Sequence, residues 1–216
     1  HTSVLPEDRK LCGFDGATDT PLFAESGARS AQLRYDQGRL LNATEWTTDG
    51  IVAAQQMMVD GRRVHKSFTT EGGKSVLREE RIFAPDDRTL RDTRGPLLSA
   101  KRYGASGQLI EQRSFAEGRE VQVERWYLNG AVRERSTWSG TGKDARLLRE
   151  MYRDDGKLAR REQLNADQWP VGTQQAFHDN GRLALEEQYS DPDGRGRTRL
   201  TARKQWDDTG KLTADD

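Results

Sequence analysis

Cys12 is the only cysteine in 216 residues, so no intramolecular disulfide framework can form. Long apolar runs are missing as well. The best stretch, Ile51 to Val59, is interrupted by Gln55-Gln56, which excludes a transmembrane helix. Charge of one sign is absent: 35 Lys+Arg balance 35 Asp+Glu, leaving no basic footprint for nucleic acid and no acidic tail. Hydrophobic residues make up only 33% against 32% charged, and mean hydropathy is −0.96, so the core must be thin or spread along the chain. Cys12 and the three histidines, at positions 1, 65 and 178, form no set with zinc-ligand spacing. Amphipathic helical periodicity is lacking over any long window.

What is present is repetition. The pattern aromatic-x-x-x-Gly-x-aliphatic occurs five times: Tyr103 with Gly107 and Leu109, Trp126 with Gly130 and Val132, Tyr152 with Gly156 and Leu158, Phe177 with Gly181 and Leu183, and Trp206 with Gly210 and Leu212. The glycines step by 23, 26, 25 and 29 residues. Weaker copies lie upstream at Tyr35-Asp-Gln-Gly38-Arg-Leu40, at Val59-Asp-Gly61 with Val64, and at Phe83 to Leu90. Asn129-Gly130, Asp155-Gly156 and Asn180-Gly181 are hairpin turn dipeptides, because Gly reaches positive φ freely and Asn and Asp tolerate it best. Between these main turns sit secondary ones, among them Asp49-Gly50, Gly72-Gly73, Glu117-Gly118, Gly140 to Gly142, Asn165 to Gly172 and Asp191 to Gly196. The segments between turns alternate as strands do, for example Leu183, Leu185 and Tyr189 on one face.

The expected fold is therefore all-β: an elongated, twisted antiparallel meander of about 14–16 strands built from tandem two-strand units. Residues 31–216 form a single repeat domain, clear over 100–212 and degenerate over 31–99, behind an irregular N-terminal arm at 1–30. The recurring aromatics and aliphatics are expected on one face and an Arg/Glu/Gln lattice on the other. Propellers need about 40–45 residues per blade, and leucine-rich repeats need a leucine spacing that is missing here. Terminal strands are open edges, which leaves dimerisation an open alternative.

No catalytic constellation emerges. His65 reads as a sheet residue and His178 as a solvent-facing turn residue, Cys12 as an apolar plug, and Gly104-Ala-Ser106-Gly107 is not a nucleophile elbow. Gly140-Thr-Gly142-Lys143 and Gly72-Gly73-Lys74-Ser75 lack the spacing of a phosphate loop. Asp191-Pro-Asp193-Gly194 lacks the further acids of a calcium loop. The expectation is a non-enzyme without cofactor or metal.

Two features point to binding. Arg outnumbers Lys by 27 to 8, and guanidinium groups suit interface contacts. Trp169, followed by Pro170, lies outside the repeat pattern in the segment Asn165 to Gly172, with Arg160 and Arg161 expected as neighbours. These three residues are the candidate partner-binding set.

Met151-Tyr-Arg-Asp-Asp-Gly-Lys-Leu-Ala-Arg-Arg-Glu and Ala176-Phe-His-Asp-Asn-Gly-Arg-Leu-Ala-Leu-Glu-Glu resemble the variant MORN repeat, which characterises bacterial antitoxin proteins of the YwqK type. The resemblance covers about 100–212 and departs at the long turns Asn165 to Gly172 and Asp191 to Gly196. It implies a hairpin array and an immunity protein that neutralises a cognate toxin or secreted effector, such as a lipase-type effector, encoded by an adjacent gene. The alternative within the resemblance is a structural or membrane-surface scaffold, against which the zero net charge counts. A secretory signal removed before His1 would place the protein in the periplasm; the alternative is the cytoplasm.

Overall fold

The structure is a computed structural model and describes residues 6–85 and 95–216. The chain divides into two compact units, 1–109 and 110–216. Both are all-β, and in each every strand pairs antiparallel with its neighbour in sequence.

The first unit holds a short helix α1 (Pro6–Leu11), then β1 (Thr18–Phe23), β2 (Arg29–Asp36), β3 (Arg39–Trp46), β4 (Val52–Val59), β5 (Arg62–Glu71), β6 (Lys74–Phe83) and β7 (Leu97–Tyr103). Of the segment expected as an irregular arm, residues 6–30 are thus folded. The amides of Gln37 and Gly38 donate to the carbonyls of Gly13 and Cys12, seating the end of the arm on the β2–β3 turn. Pro21 in β1 is tolerated because β1 has a neighbour on one side only. The expected long repeat copy at Phe83 to Leu90 falls largely on residues outside the described ones.

The second unit contains β8 (Leu109–Ala116), β9 (Arg119–Trp126), β10 (Val132–Ser139), β11 (Arg146–Tyr152), β12 (Leu158–Asn165), β13 (Gly172–Phe177), β14 (Leu183–Tyr189), β15 (Leu200–Trp206) and β16 (Leu212–Asp215).

The register explains the repeat. Trp126 pairs with Val132, Tyr152 with Leu158, Phe177 with Leu183 and Trp206 with Leu212, so the aromatic and the aliphatic of these four motifs are direct cross-strand partners. One extra residue on the second strand (Arg133, Ala159, Ala184 or Thr213) is bulged out next to each pair. Each turn closes with two backbone bonds, as in Arg153 N to Lys157 O (2.9 Å) and Gly156 N to Arg153 O (2.9 Å).

The motif glycines are all left-handed: Gly107 at φ 80, Gly130 at φ 83, Gly156 at φ 84, Gly181 at φ 85 and Gly210 at φ 90. A three-residue loop with a left-handed residue and a bulge is why the motif needs its glycine. All five are exposed turn positions, so they set backbone geometry and pack nothing. The sequence treats them as equivalent, but Gly210 departs from the other four. A methyl added there would meet Arg182 Cδ of the preceding main turn at 3.9 Å, whereas at Gly107, Gly130, Gly156 and Gly181 it would meet open space. The cause is that Arg182 lies across this last turn, donating to the carbonyls of Asp208 (3.3 Å) and Thr209 (2.5 Å).

The upstream copies differ from the sequence expectation. Gln37-Gly38 and Asp60-Gly61 have positive φ at both residues, which makes them two-residue hairpin turns rather than shortened main turns. Among the described residues the main turns of the first unit are Phe23 to Arg29 around Gly27, Trp46 to Val52 around Asp49-Gly50 and Tyr103 to Leu109 around Gly107, with Phe23 paired to Arg29 and Trp46 to Val52.

Charge is also distributed differently from expectation. In the second unit Glu111, Ser136, Glu162 and Gln174 are buried on the same face as Val123, Leu147 and Leu164. The opposite face carries the row Glu124, Arg135, Glu150, Arg161. With sparse apolar side chains on a sheet face, arginine stems supply much of the cover over that face, and their heads bring carboxylates with them.

Candidate functional site: the loop edge of the second unit

The two ends of the second unit are built differently. At the main-turn end a side chain from each turn reaches the carbonyl of the aromatic in the next. The Tyr127 hydroxyl donates to Tyr152 O (2.7 Å), the Arg153 guanidinium to Phe177 O (2.8 Å), and His178 Nε2 to Trp206 O (2.8 Å). Asn129 and Asn180 make a second rung to Asp154 O (3.0 Å) and Asp208 O (2.6 Å). His178 is therefore a rung of this ladder and not the solvent-facing residue expected. The ladder stops at Asp207, which cannot donate and instead accepts from the amides of Thr209 and Lys211 in its own turn.

The opposite end carries the longer connections: 140–145 with a short 3₁₀ helix (Gly142–Asp144), 166–171 and 190–199. Segment 165–170, expected outside the pattern, is the repeat turn again. Asn165 N donates to Trp169 O (2.9 Å), Gln168 N donates to Asn165 O (3.0 Å), and Leu164 bridges to Pro170. Gln168 occupies the glycine position at φ 61. The turn survives without glycine because Asn165, 3% exposed, holds it from inside: its Oδ1 accepts from the amides of Asp167 (3.0 Å) and Trp169 (2.9 Å). Its Nδ2 donates to Gly196 O (3.2 Å), tying this loop to the 190–199 loop. There Asp193 repeats the device, accepting from the amides of Arg195 and Arg197. These bonds, that from Arg197 N foremost, hold the Asp193 carboxyl below the ordinary aspartate range.

Alignment of these turns shows what is unusual about Trp169. Equivalent turns place Ala28, Ile51, Gln108, Ala131, Lys157, Arg182, Arg197 and Lys211 at the residue after the left-handed position. Here that place holds a tryptophan, 58% exposed, on a loop whose backbone is fixed at both Trp169 N and Trp169 O. Arg160 and Arg161 do not join it. They lie four to five residues back along β12 from Asn165, at which the turn begins, about 13–17 Å at strand rise, on opposite faces. Arg160 pairs with Glu162 (2.7 Å) and Arg161 with Glu150 (2.8 Å).

Two clefts open on this edge. One of about 450 Å3 is lined by Val121, Trp138, Ala116 and Ala145, with Arg119 and Glu120 among its polar residues. The other, of about 660 Å3, is polar, with Lys143, Asp144, Asp167, Asp191 and Arg195. Sequence reasoning misses Trp138 and the 140–145 connection. The only signal for them is that three secondary turns in this stretch are long or glycine-rich.

The strand faces bearing this edge are held by ion pairs. Glu111, its side chain 8% exposed, bridges Arg113 (2.8 Å) and Arg125 (2.8 Å), and Arg125 continues to Glu134 (2.8 Å). Burial presses the Glu111 carboxyl upward, but hydrogen bonds and charge from both arginines outweigh it and hold the group below the ordinary glutamate range. Glu162 is similarly bracketed by Arg149 (2.7 Å) and Arg160. Among the described residues no cluster of three or more His, Cys, Asp or Glu side chains could hold a metal ion, and no helix is long and apolar enough to cross a membrane.

No family model and no curated protein matches the chain. Among solved structures, TarM is similar at 14% identity and TM-score 0.31 over 55% of this chain and 19% of its own. The TcdB2-TccC3-TEV structure is similar at 9% identity and TM-score 0.27 over 93% of this chain. A protein of unknown function from Bacteroides fragilis NCTC 9343 is similar at 14% identity and TM-score 0.17, over 68% of this chain and 94% of its own. The chain spans 19% of the TarM chain and 14% of the TcdB2-TccC3-TEV chain.

Proposed function

We propose that this is a non-enzymatic binding protein of the immunity type, which neutralises a cognate protein toxin or secreted effector by direct contact through the loop edge of the second unit. The observation that carries the reading is Trp169. A turn built like the others presents an exposed indole where they present an alanine, an isoleucine, a glutamine or a basic residue. A rigid aromatic of this kind loses little conformational freedom on docking and is the commonest type of interface anchor. The assignment to immunity rather than to binding in general rests on the resemblance of residues 100–212 to the variant MORN repeats of bacterial antitoxins.

Co-expression with the product of the adjacent gene should yield a stable complex and abolish that product's toxicity. In that complex Trp169→Ala should weaken affinity by at least ~2 kcal/mol while leaving the melting temperature unchanged. Equal affinity would remove Trp169 from the interface, and indifference to the neighbouring product would remove the immunity reading.

A further inference from the structure

We propose that the loop edge of the second unit, when no other partner occupies it, is covered by the same edge of a second copy of this chain. The inference concerns the free protein and does not depend on the immunity reading. The edge carries both a knob and a hollow. Trp169 is 58% exposed on a turn of fixed backbone and lines neither cleft of its own chain. The hollow is the apolar cleft of about 450 Å3 over Val121 and Trp138. Ala166, in the same turn as Trp169, lines both clefts, so knob and hollow belong to one patch. A two-fold axis through that patch lets each indole fill the hollow of the other copy, because an isologous contact uses every feature twice.

The charges beside the hollow select the occupant. Carboxylates on the strands are answered within the chain: Glu124 by Arg135, Glu150 by Arg161, Glu187 by Arg203. In the larger cleft, Asp144, Asp167 and Asp191 make no ion pair among the described residues, and neither do Lys143, Arg146 and Arg195. Arg146 donates to the carbonyls of Lys143 (3.4 Å) and Ala145 (3.1 Å), which leaves its charge in place, whereas Asp193 is engaged by Arg197 (3.3 Å). Three acids therefore stand among three bases. A partner surface of a single sign would meet as many like charges as opposite ones. A second copy brings the same balanced set, and the two-fold can set its acids against these bases and its bases against these acids. The connections 140–145, 166–171 and 190–199 supply about 20 residues, enough for one side of a standard interface. Two of them are already tied together by Asn165 Nδ2 on Gly196 O (3.2 Å), so little ordering entropy is lost on docking. Pairing of this kind buries Trp169, and a cognate partner that docks there competes with the second copy.

The oligomeric state of the whole protein is the test. Sedimentation equilibrium from about 1 μM to about 1 mM should show a reversible monomer–dimer equilibrium that weakens as salt is added. Trp169→Ala removes the knob from both copies and should raise the dissociation constant at least about thirtyfold, with an unchanged circular dichroism spectrum. Ala166→Arg, at an exposed turn position lining both clefts, should do the same from the side of the hollow. A copy carrying Asp144→Lys, Asp167→Lys and Asp191→Lys should not self-associate, nor should one carrying Lys143→Glu, Arg146→Glu and Arg195→Glu. Their mixture should form a one-to-one dimer. A protein that stays monomeric throughout this range overturns the proposal. So does a dimer indifferent to both Trp169→Ala and Ala166→Arg, which would be built on open strand edges instead. Either failure leaves the binding reading standing, because that reading is judged by the affinity of the neighbouring gene's product.

Discussion

The carboxamide of Gln174 stands in for a peptide group opposite Gln163. Its Oε1 accepts from Gln163 N (3.1 Å), and its Nε2 donates to Gln163 O (2.7 Å) and Val171 O (3.0 Å). The β12–β13 ladder has two regular paired positions, Arg160 with Ala176 and Arg161 with Gln175; beyond them it is interrupted at Gly172 to Gln174, where the buried amide fills the break, before Val171 N donates to Gln163 O (2.9 Å) and Leu164 bridges to Pro170.

Gln174→Ala should therefore cost about 1–3 kcal/mol, since it takes away the partner of Gln163 N and the bond to Val171 O, while Gln163 O keeps its bond from Val171 N. Gln174→Glu should be at least as damaging despite its matched shape, because a carboxylate cannot donate to the two carbonyls it would face. Urea unfolding of both variants checks this. A loss below ~0.5 kcal/mol for either would mean that the backbone closes the gap unaided.

The ladder between main turns can be tested with the smallest available change. Tyr127→Phe removes only the hydroxyl that donates to Tyr152 O and should lower stability by about 0.5–1.5 kcal/mol. The amides around 152–158 should also exchange faster with deuterium. An unchanged exchange profile would show that the rung is ornamental and that aromatic–aliphatic pairing alone sets turn spacing.

How much of this is legible in the sequence follows from the physics of each feature. The main turns, from Gly107 through to Gly210, are readable because positive φ demands glycine, and glycine spacing is visible in a sequence. The turn at Asn165 escapes for the same reason: its left-handed residue is Gln168, and the asparagine that makes this tolerable acts through side-chain bonds that leave no periodic trace. Trp169 stands out in the sequence as part of an irregular loop, whereas its significance comes from standing in a regular one. Arg160 and Arg161 are near it only in sequence distance, because strand rise carries them away and alternation sends them to opposite faces. Trp138 reads from sequence as one more strand aromatic, and only the register places it at the cleft.

Acid should act on the ion-pair network in a defined direction. Glu111 has its folded pKa below the unfolded value, near 4.3 for a free glutamate, so its contribution is fully present above that value and is lost as pH falls through the lower folded one. At neutral pH Glu111→Gln should be the less stable protein, because Arg113 and Arg125 lose the charge between them. The gap between the two proteins should narrow as pH drops below about 4, where the wild type gives up the same interaction. Unfolding midpoints of both proteins across this range decide the matter. A gap that stays constant would mean the carboxylate contributes through shape and hydrogen bonding rather than charge.

Gln168 offers the sharpest test of the claim that the Trp169 loop is a repeat turn in disguise. A non-glycine residue in the left-handed region costs roughly 1–2 kcal/mol, while glycine costs about 0.4–1 kcal/mol in unfolded-state entropy. Gln168→Gly should therefore stabilise the protein by several tenths of a kcal/mol, up to about 1. Gly156→Ala, at the equivalent position with φ 84 and open space around the new methyl, should destabilise it by a similar or larger amount. The opposite signs are the diagnostic, because a loop of unrelated geometry would have no reason to prefer glycine at 168. If Gln168→Gly instead weakens partner binding while raising the melting temperature, the strained glutamine is retained for the interface and not for the fold.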